Sequence, residues 1–171
     1  MRYFTHYTSP VGELLLASDG ENLTGLWLDG QKHYAAGLNA DAAQSDSLPT
    51  FQQTKRWLDD YFAGKNPDPT VIPLAPQGSE YRRRIWALLR EIPYGDITAY
   101  GKLAFDYNRK YNCATSPRAV GGAVGHNPIS IIIPCHRVIG ANDLLTGYAG
   151  GIDTKRFLLE LEEKASAVTI R

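Results

Sequence analysis

The sequence predicts an α/β protein: a small N-terminal α/β domain over residues 1–78, then a mainly helical C-terminal domain over residues 79–171 with a helix-turn-helix and a short strand. Three observations carry this. Short aromatic and β-branched runs broken by turn residues fill the first 30 positions. Apolar residues recur at helical spacing beyond residue 79. Between the two patterns lies a proline-rich connector, NPDPTVIPLAPQG, at residues 66–78.

Taken in order, RYFTHYT, GELLLASD and NLTGLWL read as strands, split by the turns SPVG and DGEN. TFQQTKRWLDDYFAG reads as a helix. Thr50 and Gln53 have capping-box spacing, Phe51, Leu58, Tyr61 and Phe62 share a face, and Gly64 stands where a left-handed cap belongs. In SEYRRRIWALLREIP, Ser79 is the expected N-cap, and Ile85, Leu88, Leu89 and Ile92 form a stripe that leaves the arginines to solvent. Thr98 is the expected cap of a short helix, AYGKLAFDY. A loop follows, and Ser116 and Pro117 open the next helix, RAVGGAVG. That last helix is almost bare. Each interior glycine costs about 1 kcal/mol, so a compensating contact is expected, either a tightly packed neighbouring helix or another molecule's surface. Ile131, Ile132 and Ile133 are expected to form a strand that Pro134 ends.

The 171 residues, 43% apolar and 21% charged, suit a soluble globular protein. MRYFTHYTSP has no long apolar run, which predicts a chain neither secreted nor membrane-inserted and located in the cytoplasm. Two cysteines provide no disulfide framework, and no Cys-x-x-Cys pair suggests a metal site. Formal charge is zero overall but uneven: −4 over residues 1–78, +5 over residues 79–140 and −1 beyond. The basic segment fits a polyanion partner or a solvated helix face.

The chemistry concentrates at IIIPCHRVIG. Cys135 sits between a proline and two basic residues, His136 and Arg137, which are expected to lower its thiol pKa. A third group should orient the imidazole. Glu162, on the same side of the last helix as Lys155, Leu158 and Leu159, is the candidate. Cys113 lies in the polar run KYNCATS and reads as incidental.

RAVGGAVGHNPISIIIPCHRVIG, with IPYGDITAYGKLA before it and TGYAGG after it, closely resembles the signature of the O6-alkylguanine-DNA alkyltransferases. The resemblance spans residues 79–162; the N-terminal half matches in layout only. It implies that Cys135 takes an alkyl group from guanine O6, with His136 as base through a water and Glu162 holding it. It implies that Tyr100 protonates the departing base, Arg118 fills the gap in the stack, and Asn127 fixes the turn before the cysteine. Backbone groups of Cys135 and Val138 would read the base edge, Tyr148 would wall the pocket, and the Ala149 amide would lie near O6. Ser116, Ala119, Gly122 and Arg137 are the remaining DNA or substrate contacts that follow. Some relatives carry serine at position 149, so alanine here drops a hydroxyl. The FDYNRKYNCATS stretch reads as a longer loop than the family pattern.

The resemblance further implies double-stranded DNA containing O6-alkylguanine as partner, a base flipped out through the minor groove, and a thioether product that ends the reaction after one turnover. It implies no cofactor and no metal, and a monomer. O4-alkylthymine as a substrate and clustering along DNA stay open. With DNA as partner, surface contact becomes the better reading of the bare helix. The competing functions are a Cys–His hydrolase and a non-enzymatic sensor of alkylated DNA.

Overall fold

The computed structural model describes residues 1–140 and 148–170. The first two residues of TGYAGG thus lie outside the described residues. In the N-terminal half, β1 (Tyr3–Ser9), β2 (Gly12–Ser18) and β3 (Leu23–Leu28) form an antiparallel meander. A two-residue β4 (Ala43–Gln44), not foreseen in the sequence, adds in parallel to β1, giving the order β3-β2-β1-β4. The helix α1 (Pro49–Phe62) begins with Pro49 and has no side-chain cap. The expected capping box is therefore absent, because Thr50 donates its hydroxyl to the Glu21 carbonyl of the strand turn instead. Gly64 does adopt a left-handed φ of 78° just past the helix end.

The C-terminal half comprises α2 (Glu80–Leu89), β5 (Thr98–Ala99), α3 (Tyr100–Tyr111), α4 (Pro117–Gly125), β6 (Val138–Ile139) and α5 (Ile152–Ile170). Ser79 and Ser116 cap α2 and α4 through Arg82 N and Ala119 N. Two expectations are corrected around α3. Ala99 precedes the helix in place of Thr98, which is used in the parallel pairing of β5 with β6. The supposed long loop is mostly helix: α3 runs to Tyr111 and ends at Asn112, in a left-handed conformation with φ 50°. Its Tyr107 is buried against Tyr81, which draws the segment into the core. The helix-turn-helix is thus α3, residues 112–116 and α4.

One core spans both halves. Leu14, Leu16 and Leu26 of the sheet, Phe51 and Leu58 of α1, Ile85 and Leu89 of α2, Val120 of α4 and Leu158 of α5 belong to a single buried cluster. Burying each such side chain contributes about 1.5–3 kcal/mol. The backbone joins the halves as well. The open edge of β3 takes the connector near its start, through Leu23 N to Pro73 O, and the segment after α4 farther along, through Leu26 N to Pro128 O and Ser130 N to Leu26 O. The second of these junctions places the Cys135 segment.

Candidate active site

The site starts with a turn. Beyond α4, the Asn127 side chain accepts from Ile129 N at 3.0 Å and donates to Ile133 O at 2.8 Å. It thereby closes a loop around the three isoleucines. These were expected to be a strand, and the structure corrects that: Ile131 has a left-handed φ of 73°, and residues 130–133 turn or bend. Such a backbone costs a β-branched residue about 1–3 kcal/mol, offset here by burial of all three side chains. Only Ile129 pairs with the sheet, at Leu26. Cys135 then opens a 3₁₀ turn, Cys135–Arg137, whose last carbon leads into β6.

On this turn His136 is fully buried, and its Nε2 lies 2.5 Å from Oε2 of Glu162, which arrives from α5. The same oxygen accepts the Tyr61 hydroxyl of α1 at 2.6 Å. Oε1 accepts Arg137 Nε at 2.8 Å and Gly95 N at 3.2 Å. Four donors saturate the carboxylate. Burial pushes the Glu162 pKa up, but the bonds and charges of His136 and Arg137 outweigh it and hold it down at about 2. Burial draws the His136 pKa below its usual value against the pull of Glu162. Burial thus favours the neutral imidazole, the form able to accept a proton. With Nε2 donating to Glu162, the lone pair lies on Nδ1, and that buried nitrogen has no protein partner among the described residues.

The thiol departs from expectation. Its basic sequence neighbours were to lower its pKa; instead burial raises it to about 11, with Asn127 and Lys155 opposing only in part. Arg137 does not act on the sulfur because its charge is committed to Glu162, and it also donates to Ile92 O at 2.7 Å. Arg137 is 9% exposed, so its assignment as a DNA or substrate contact is corrected as well: it belongs to the interior network. The cation that bears on the thiol is Lys155, buried on α5, whose ammonium donates to the Val138 carbonyl. Cys135 is 5% exposed, whereas Cys113 lies on the surface.

Beside the turn an open cleft of about 340 Å³ is lined by α4, by Tyr148 and Ala149, and by Lys32 and His33 of the N-terminal half. The glycines of α4 give this wall its shape. A Cβ at Gly122 or Gly125 would meet nothing within 4 Å, and one at Gly121 would lie 3.7 Å from the Tyr100 ring. Close packing on a neighbouring helix therefore does not explain them; α4 packs through Val120, Ala123 and Val124. Tyr100 stands at the start of α3, half-buried. Arg118 and Ala119 are exposed, and Ser116 is engaged as the α4 cap. Tyr148 is buried, its ring against Gly150, where a Cβ would lie 2.6 Å from Cε2. The Ala149 carbonyl accepts Lys32 N at 3.3 Å, and His33 stacks on His126 at 4.0 Å, so the N-terminal half forms one lip of the cleft.

Sequence reasoning brought together Cys135, His136, Glu162 and Asn127, which the fold does place in one cluster. It missed Tyr61, Lys155 and the Lys32–His33 lip. For Lys155 a signal existed: it shares the inward stripe of α5 with Leu158 and Glu162, an unusual place for a lysine. Tyr61 sat on a predicted apolar face, where its ring hid the use of its hydroxyl.

Comparison with known families and structures agrees over most of the chain. Residues 80–164 match the family model "6-O-methylguanine DNA methyltransferase, DNA binding domain", and residues 2–76 match the "6-O-methylguanine DNA methyltransferase, ribonuclease-like domain". A methylated-DNA–protein-cysteine methyltransferase of Haemophilus influenzae is 47% identical over 94% of this chain and 86% of its own length. One of Methanosarcina acetivorans is 42% identical over 94% and 97%. Among solved structures, Mycobacterium tuberculosis OGT in complex with DNA superposes with a TM-score of 0.81 at 38% identity, covering 95% of this chain and 94% of that one.

Proposed function

This chain belongs to the 6-O-methylguanine DNA methyltransferase family, and we propose that it repairs duplex DNA by moving the alkyl group of O6-alkylguanine onto Cys135, once per molecule. That it is a DNA-repair methyltransferase follows from its family; the substrate, the residues and the steps are the proposal. The observation that carries it is the buried Glu162–His136 pair, adjoining Cys135, with Nδ1 of the imidazole left without a protein partner.

With its pKa raised to about 11 by burial, the resting thiol is held in its protonated form at pH 7. The nucleophile must therefore be made when the substrate arrives. His136 Nδ1 takes the thiol proton through a water, Glu162 stabilises the resulting imidazolium, and Lys155 and Asn127 favour the thiolate. Sulfur then attacks the alkyl carbon as the carbon–O6 bond breaks. The leaving guanine keeps the electron pair and receives a proton from Tyr100, and the tyrosinate recovers one from the His136 imidazolium through solvent, so that one proton passes overall from thiol to guanine. The thioether has no nearby group able to hydrolyse it.

The cleft beside α4, lined by Tyr148 and Ala149, suits the everted base; in this reading Tyr148 is its wall, and backbone groups of Cys135, Val138 and Ala149 meet its edge. Arg118 would take its place in the stack, while Ser116, Ala119 and Gly122 lie on the face offered to the minor groove. Residues 1–78 and 79–171 act as support and as DNA-binding domain. Both cysteines are free, which suits a reducing compartment such as the cytoplasm. No helix among the described residues is long and apolar enough to cross a membrane. We assign it a monomeric mode of action.

Intact-mass measurement after incubation with excess O6-methylguanine duplex tests this. The expected result is one methyl per chain, mapped to Cys135 and lost in Cys135→Ala. Repeated turnover of an ester would favour a hydrolase, and tight binding without mass gain would favour a sensor.

A further inference from the structure

The network around Glu162 contains a hydroxyl that the steps above do not use. Tyr61 comes from α1, in the half of the chain remote in sequence from the cysteine, yet its Oη is 2.6 Å from Glu162 Oε2 and 3.5 Å from His136 Nε2. It is 1% exposed. Its ring is held on three sides, stacked on Trp57 at 5.3 Å and met edge-on by Phe62 at 5.3 Å and Tyr94 at 6.2 Å. A ring packed only for apolar burial has no need to aim its oxygen at the one carboxylate that orients the base. A tyrosine hydroxyl donates here, because burial and the Glu162 charge raise its pKa well above the usual value.

We infer that Tyr61 is a positioning residue of the proposed relay: by donating to the oxygen that holds His136, it limits how strongly Glu162 pairs with the imidazole. This rests on the alkyltransferase reading and gives the N-terminal half a part in the chemistry besides support. The physical argument is competition. Oε2 divides its acceptor strength between a phenol and an imidazole. Without the phenol, Glu162 favours imidazolium more, and the base is lost to protonation at a higher pH. The other charged or titratable groups around the imidazole are Cys135 and Arg137 on its own turn, Lys155 of α5, Tyr94 after α2, and Tyr148. Of the cations among them, Arg137 bonds Oε1 and Lys155 bonds the Val138 carbonyl.

The test is Tyr61→Phe, with Tyr94→Phe as control, read in two ways. In unreacted protein, the His136 imidazole resonances should titrate about half to one pH unit higher in Tyr61→Phe than in wild type, a shift typical of one lost charge-assisted bond. In single-turnover transfer, the acid limb of the pH profile should move up by the same amount. Rates should fall about three- to tenfold on that limb and converge with wild type at alkaline pH, at unchanged duplex affinity. Tyr94→Phe should leave both readings in place. An unshifted His136 titration, or an equal rate loss at every pH, overturns the inference and leaves Tyr61 as packing. Wild type that never gains alkyl mass defeats the functional reading instead, and the titration still judges Tyr61. If phenylalanine prevents folding, wild type decides: a slowly exchanging Tyr61 hydroxyl proton with an Overhauser contact to the Nε2 proton of His136 supports the inference, and its absence overturns it.

Discussion

Two neighbouring regions of this molecule solve opposite problems. The network of His136, Glu162, Arg137, Lys155 and Tyr61 is sealed, and its carboxylate accepts four hydrogen bonds. The outer face of α4 is bare, with Gly122 and Gly125 facing open space and Arg118 exposed. In the first region both oxygens of the carboxylate are held by donors, because an unsatisfied buried charge would cost several kcal/mol and because a base must hold one tautomer. In the second, side chains are absent or left to solvent, because a surface that accepts another molecule must not fill its own contact area. The same contrast bears on the thiol: it lies on the sealed side, where burial raises its pKa.

The most severe way to break the sealed region is Glu162→Gln. Removing the charge leaves Arg137 buried without its anion, and stability should fall by about 3–5 kcal/mol, measured by denaturant unfolding. Alkyl transfer should slow by about ten- to a hundredfold, the scale of a lost partner that orients a functional imidazole. The wild-type pH response has a definite sign. The Glu162 pKa is depressed from 4.5 to about 2 in the fold. Its contribution, about 3 kcal/mol by linkage, is complete above pH 4.5 and disappears as pH falls toward 2. Stability in Glu162→Gln should lack that acid-dependent segment; a variant with the full acid slope would show that other carboxylates carry it.

On the open side the effects should be smaller and should touch DNA more than folding. Arg118→Ala should lower transfer in duplex about tenfold, corresponding to about 1.4 kcal/mol of lost stack filling, with little change in single strands. Equal losses in both would remove the arginine from the stack. Gly122→Ala sharpens the contrast most. Its Cβ enters open space on a helix, so the fold should gain about 0.5–1 kcal/mol, read as a raised midpoint of unfolding, while duplex binding weakens a few-fold. If binding strengthened together with the fold, the bare face would not be a DNA surface.

Much of this was legible in the chain. The three strands, the caps at Ser79 and Ser116, the helix-turn-helix order and the cluster of Cys135, His136, Asn127 and Glu162 follow from local rules: turn residues, capping chemistry, helical period and a specific motif. What misled was also local. Three isoleucines suggested a strand, but Asn127 and Pro128 turn the chain first. Two adjacent cations suggested an acidic thiol, but Arg137 turns inward to Glu162 and burial dominates. A polar stretch after Phe105 suggested a loop, but Tyr107 anchors it as helix.

The sequence alone therefore determined which groups could react, since a nucleophile, a base and their caps are encoded in short-range spacing. Only the tertiary structure decided their state. Whether a thiol is ionised, which oxygen an arginine serves and whether a tyrosine is packing or a donor depend on solvent exclusion and on contacts between residues as far apart as 61 and 162. Electrostatic free energy in a protein is set by distance and dielectric in space, and neither is written in the order of the chain.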